Sequence, residues 1–101
     1  MEIPKRFKIA GHDYKIIIEN IVYDYDKESV FGYHDNVKLE IRIAKRVLIG
    51  RETIVLTPTQ IENTFFHELF HAFNYYWNNE QDESLAQVFS NFMCEFERTK
   101  E

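Results

Sequence analysis

The sequence predicts an α+β fold in a single domain, residues 1–101: a small antiparallel β-sheet of hairpins packed on two C-terminal helices. Three observations predict it. Residues up to about 56 fall into short β-type runs broken by turn residues, whereas the remainder shows helical spacing with start signals. A length of 101 residues allows one core and little more. A hydrophobic content of 45% with 16% aromatic residues excludes a disordered chain.

Taken in order, "RFKIA" and "YKIII" flank Gly11-His12-Asp13, which reads as a hairpin turn. "SVFGY" and "VKLEIRIA" flank His34-Asp35-Asn36, which reads as a second. In "VKLEIRIA", Val37, Leu39, Ile41 and Ile43 alternate with Lys38, Glu40 and Arg42, the period of a half-buried strand. Residues 20–29 and "RVLIGRE" carry no clear period, and "TIVL" reads as one more short strand. Thr57, Pro58 and Gln60 then supply an N-cap, a proline at the first helical position and a capping-box partner. Ile61, Phe65, Leu69, Ala72, Phe73 and Tyr76 recur at helical spacing, so this helix is expected to reach about Trp77. "NNEQD" breaks it. A second helix is expected from about Asp82, with Leu85, Val88, Phe89, Phe92, Met93 and Phe96 as its apolar stripe.

The charge balance excludes some functions. Ten of the twelve Lys and Arg residues lie in residues 1–51, and the net charge is −5, unlike the basic excess of a nucleic-acid binder. One cysteine, Cys94, allows no internal disulfide. The opening "MEIPKRFKIAGHDYK" has no signal-peptide core, and no apolar run is long enough for a membrane span, so the expected location is cytoplasmic.

The first helix carries His67-Glu68-Leu69-Phe70-His71. Residues i and i+4 lie one above the other on a helix, so the two imidazoles can aim at one point. Such a pair suits a zinc ion, and Glu68, on the flank of that face, can reach a water beside the metal as general base. Chance produces the pattern in about two random orders in a hundred at this composition. A catalytic zinc takes three protein ligands. Glu80, Asp82, Glu83 and Cys94 are the downstream candidates. Glu83 opens the second helix, which a helical hairpin brings back beside the first, and Ala86 leaves room for that approach. Cys94 lies about 16 Å further along the helix and reads as a packing residue.

His67, Glu68, His71 and a glutamate in the E-x-x-A context of Glu83 and Ala86 resemble the gluzincin branch of the zincin metallopeptidases. The order of hairpins, active-site helix and glutamate helix is similar to minimal versions near the ImmA/IrrE-like phage and bacterial peptidases. Phe70 stands where many of those motifs carry glycine. The resemblance implies a zinc-dependent peptidase with one Zn2+ held by His67, His71 and Glu83, and with Glu68 as the catalytic base. It also implies a protein or peptide substrate lying along an edge strand. The nominated edge is the strand around Leu39, Glu40, Ile41 and Arg42, with "TIVL" as the next choice. An oxyanion donor is expected among Tyr75, Tyr76, Tyr23, Tyr33 and His34. His12 and His34, in expected turns, read as exposed, while Asn63, Asn74 and Tyr75 lie near the histidine face. The alternative function is a catalytically silent, zinc-stabilised binding module (an inhibitor or adaptor), and a third reading is a metal-free protein that associates through "FNYYWNN".

Overall fold

A computed structural model describes residues 1–77 and 80–101. Asn78 and Asn79, part of the expected helix break, lie outside the described residues. The described residues run through eight short strands and then two helices. These are β1 (Arg6–Ile9), β2 (His12–Glu19), β3 (Val22–Tyr23), β4 (Ser29–Val30), β5 (Gly32–Asp35), β6 (Glu40–Ala44), β7 (Arg46–Ile49), β8 (Glu52–Val55), α1 (Pro58–Trp77) and α2 (Glu83–Thr99).

The first hairpin turns on Ala10 and Gly11, both in the left-handed region with φ of 51° and 80°, as a tight two-residue hairpin loop requires. The second turn falls later than the sequence suggests. Asp35 accepts from the backbone N–H groups of Val37 and Lys38, at 3.0 and 2.9 Å, and this local turn moves the reversal to residues 36–39. His34 and Asp35 therefore belong to a strand.

The main sheet has the order β1-β2-β6-β5. It is mixed, because β6 runs parallel to β2 and antiparallel to β5, whereas hairpins alone would have made it antiparallel throughout. This placement corrects the expectation for the strand around Leu39–Arg42. Central β6 has no open edge, and Ile41 and Ile43 are fully buried. Arg42 is held on Glu19 and Glu40 at 2.7 and 2.9 Å. The "TIVL" strand β8 pairs with β7 in a separate two-stranded sheet, also apart from the main edge.

The free edge beside α1 is β5. Ala44 N–H donates to Phe31 C=O at 2.9 Å, and inward-bonding residues alternate along an antiparallel pair. Residues 33 and 35 thus bond to β6, and Gly32 and His34 turn their backbone N–H and C=O groups to the open side.

α1 forms where the capping signals place it. Thr57 N–H donates to Gln60 Oε1 at 2.8 Å and Gln60 N–H to Thr57 Oγ1 at 3.1 Å, the reciprocal capping box. Phe65, Phe66 and Ala72 pack with Tyr14, Ile41, Ile43 and Cys94 into the main core. α2 is capped by Asp82, whose carboxylate accepts from Leu85 N–H at 2.9 Å. Its buried residues are Ala86, Ser90 and Cys94, with Phe89 and Met93 half-buried against the core. Leu85, Val88, Phe92 and Phe96 are exposed, so four of the six residues of the expected apolar stripe face out. Among the described residues no helix is long and apolar enough to cross a membrane.

Candidate metal centre

α1 and α2 pack side by side, and the site lies where they meet β5. A cleft of about 940 Å3 there is lined by His67, Glu68 and His71 of α1, Glu83 and Gln87 of α2, and Gly32 and His34 of β5, among others. None of Leu39, Glu40, Ile41 and Arg42 lines it.

The three expected ligands converge. One ligand atom from each of His67, His71 and Glu83 lies within 4.8 Å of the others. His67 Nε2 is 2.9 Å from Glu83 Oε2, and His71 Nε2 is 2.9 Å from Glu83 Oε1. The i, i+4 spacing brings the imidazoles edge to face with ring centroids 4.9 Å apart, and the α2 N-terminus delivers the carboxylate to both.

Two glutamines set the state of the imidazoles. His71 Nδ1 is 2.6 Å from Gln81 Oε1, and the same amide donates from Nε2 to the His71 backbone carbonyl at 3.1 Å, which fixes its orientation. His67 Nδ1 is 3.2 Å from Gln87 Oε1. Gln87 Nε2 in turn donates to Asn91 Oδ1 and Asn63 Oδ1, at 2.9 and 3.2 Å. Each glutamine oxygen is an acceptor, so each Nδ1 carries a hydrogen; in the protonated ring Nε2 also donates, to Glu83, and in the neutral ring Nε2 keeps its lone pair. Those lone pairs face carboxylate oxygens, which are also acceptors. Among the described residues His71 Nε2 is buried with no hydrogen-bond partner, whereas His67 Nε2 shares a hydrogen bond with Glu83 Oε2. Acceptors facing each other at 2.9 Å are satisfied by a proton or a cation between them. For a tetrahedral ion with bonds of about 2.0–2.1 Å, neighbouring ligand atoms sit roughly 3.3 Å apart, close to this spacing. Two neutral imidazoles and one carboxylate are a donor set that fits zinc.

Glu68 points from the flank of α1 into a dry environment beside the three ligands. Burial, and secondarily the Glu83 carboxylate, push its carboxyl up to about 8. Gly32 of β5 explains the tight enclosure. A Cβ built there would come within 2.6 Å of Thr64 Cγ2 and 2.9 Å of Glu68 Cγ, so only glycine lets this edge lie directly against the helix.

The remaining candidates separate. Glu80 lies just outside α2, its carbonyl accepting from Asn74 Nδ2, and Asp82 is the helix cap. Cys94 is buried in the core, as a packing residue should be. Asn63 acts on His67 at one remove, through Gln87. Tyr75 lines the cleft and meets the His34 ring edge-on at a centroid distance of 6.1 Å. Tyr76 turns away, bonding Tyr14 Oη at 3.0 Å and stacking on the exposed His12 ring. Tyr33 lines the cleft, whereas Tyr23 is exposed on β3.

Sequence reading left out Gln81, Gln87 and Gly32 and put His34 on an exposed turn. For Gln87 a signal existed: it lies one helical turn beyond Glu83, on the same face. His34 is half-buried in the cleft, its Nε2 2.9 Å from Tyr14 Oη. Compared with models of protein families, curated proteins and solved structures, the chain matches none of them.

Proposed function

We propose that the chain is a zinc-dependent peptidase in which His67, His71 and Glu83 hold one zinc ion and Glu68 is the general base. A single observation carries this reading: one ligand atom from each of His67, His71 and Glu83 converge within 4.8 Å, and each imidazole's Nδ1 is held on a glutamine oxygen. Bound in that cradle, zinc would acidify a water molecule and polarise a substrate carbonyl. Glu68 is the only other carboxylate beside the cradle that is both buried and aimed at the cleft among the described residues. Burial keeps its carboxyl largely protonated near neutral pH in the metal-free chain; with the charge of a zinc ion beside it favouring the carboxylate, it would accept the proton of the attacking water and return it to the leaving amine. A site that only stabilised the fold would have no use for a buried base at this position.

The substrate edge is β5. Gly32 and His34 offer backbone N–H and C=O groups on the open side, and an extended peptide adds there as a further strand. Gly32 holds that edge against Glu68, which sets the reacting bond beside the base.

Two measurements test the reading. Metal analysis after zinc loading and desalting should find one zinc per chain, and Glu83→Gln should lower its affinity. Glu68→Gln should keep the zinc and the fold and lose turnover of any peptide that the native chain cleaves. Zinc uptake with no hydrolysis in either protein would favour the binding-module alternative. Failure to take up zinc would reject both.

A further inference from the structure

A peptide added along β5 shows the sheet two sets of side chains, because successive residues of a strand point to opposite faces. Gly32 faces α1, where a Cβ would meet Thr64 and Glu68, so Tyr33 projects from the other face. Gly32 and His34 carry the open hydrogen-bonding groups, and Tyr33 between them bonds to β6. In an antiparallel pairing, a position without bonds to the added strand brings facing side chains closest, with Cα atoms about 4.5 Å apart. The peptide side chain opposite Tyr33 therefore meets whatever surrounds that ring.

The surroundings are aromatic and acidic. The Tyr33 ring packs against the cluster of Val22, Ala44, Val47 and Leu56, and Tyr25 meets it edge-on at a centroid distance of 5.5 Å. Tyr25 itself is 79% exposed. Asp24, half-buried, lines the cleft together with Tyr33. Burial, then a hydrogen bond to Tyr25 and the charges of Asp35 and Asp24, raise the Tyr33 phenol above its ordinary range, so both carboxylates are near it.

Of these acids Asp24 is the one with capacity to spare. Asp35 is turned to the N–H groups of Val37 and Lys38. Arg42, the β6 neighbour of Tyr33, is already held on Glu19 and Glu40. Asp24 Oδ1 accepts from Glu28 N–H at 3.0 Å, and the carboxylate has no ion pair among the described residues. Among the described residues that line the cleft there is no lysine or arginine, and its other two carboxylates belong to the metal centre.

We propose that Asp24, with the rings of Tyr25 and Tyr33, forms a subsite for a lysine or arginine side chain, so that peptides taken on β5 carry a basic residue opposite Tyr33. The aliphatic stem lies along the rings, and the charged head meets the carboxylate and the ring faces. The inference rests on the substrate edge assigned above and deepens it to a class of substrate.

The test uses the metal-free native chain, which binds peptide without the metal that hydrolysis needs. The probe is an acetylated, amidated hexapeptide of alternating alanine and lysine, whose lysines all point to one side of a strand. Matched peptides carry glutamine or glutamate in place of lysine. Titration followed by 1H–15N spectra gives both affinity and place, and the amides of Gly32 and His34 should shift. The lysine peptide should bind about tenfold more tightly than the glutamine peptide. Asp24→Asn should abolish that preference, Asp24→Glu should keep most of it, and Asp26→Asn, at an exposed acid two residues on, should leave it. Equal affinity for the lysine and glutamine peptides would overturn the subsite. So would an equal loss in Asp24→Asn and Asp26→Asn, since the attraction would then be diffuse. Absence of shifts on β5 with every peptide would remove the edge and the subsite together. Turnover is read separately on the zinc-loaded chain: a lysine peptide that binds and is not cut would reject the peptidase and leave the subsite standing.

Discussion

α1 and α2 use opposite rules to decide which residues go inside. On α1 five of the six apolar periodic positions face the core, Phe65 and Ala72 buried and Ile61, Leu69 and Tyr76 half-buried, while Phe73 is exposed. On α2 the fully enclosed positions are small, Ala86, Ser90 and Cys94 at intervals of four, while Leu85, Val88, Phe92 and Phe96 face outward. The difference is explained by Glu83. To bring a carboxylate within 2.9 Å of two imidazoles on α1, the backbone of α2 must come close, and only small side chains fit between. α1 packs for area, and α2 packs for approach. A reading that assigns the inner face to the largest apolar residues succeeds on the first helix and fails on the second for that reason.

The largest expected effect comes from breaking the approach. Ala86→Leu adds three carbons to a fully enclosed position between the helices. Overpacking of this kind costs about 1–3 kcal/mol, and any outward shift of α2 also withdraws Glu83 from the histidines. Chemical denaturation should show that loss, and zinc titration should show an affinity at least about a hundredfold weaker. Leu85→Ala, which trims the exposed side of the same turn, should do neither.

Next come the residues that orient the ligands without touching the metal. Gln87→Leu removes the acceptor beside His67 Nδ1, and Gln81→Leu the one beside His71 Nδ1. Loss of such a partner weakens metal binding by about 10–100-fold. Competition with a chelator measures it. The effect of Gln87→Leu should be accompanied by disorder of Asn63 and Asn91, which now hold its amide.

These residues also show what the sequence could reveal. His67, Glu68 and His71 were legible because helix geometry fixes how i and i+4 side chains relate, whatever they pack against. Glu83 was legible through its position at a helix start, and α1 through its capping box. Gln87 left only the trace of its place one turn beyond Glu83, and Gln81 left none, since an amide has no charge rule that ties it to an imidazole in another part of the chain. The sheet was less legible still. The period of two identified β6 as a strand, but its pairing with β2 in parallel depends on a crossover through β3–β5 that leaves no local trace. Placing the edge at Leu39–Arg42 failed at that step, and so did the turn assigned to His34.

A smaller effect probes how dry the sheet side of α1 is, against the open outer side of α2. His34 is enclosed by Tyr14 and Tyr75, with His71 lowering its affinity for protons and Asp35 raising it. An unfolded histidine takes up a proton near pH 6.5, whereas burial holds the folded one to about 4. Between those values the unfolded chain binds more protons, so stability falls as pH drops through this window and is fully present above it. With solvent screening allowed for, the loss is about 1–2 kcal/mol. Urea unfolding of the metal-free chain at pH 7 and pH 4.5 should show it superimposed on any carboxylate contribution, and His34→Phe should remove that share.

The smallest expected effect tests the outer face of α2 itself. Phe92 is 64% exposed, and Phe89, three residues earlier, packs against Phe70 and Phe66 at centroid distances of 5.5 and 6.5 Å. Both are phenylalanines on one helix, so replacing each with glutamine changes the same chemistry in two surroundings. At Phe89 the change removes an aromatic from the seam between the helices and leaves an amide against apolar neighbours, at a cost of about 3 kcal/mol. At Phe92 little packing is lost, and glutamine has the better helix propensity by a few tenths of a kcal/mol. The net change there should lie within about 0.5 kcal/mol, in either direction. Denaturant midpoints of the two variants at equal slope measure the contrast directly. A loss above about 1 kcal/mol at Phe92 would mean that this face is covered in solution, and α2 would then bury apolar area on both sides, as α1 does on one.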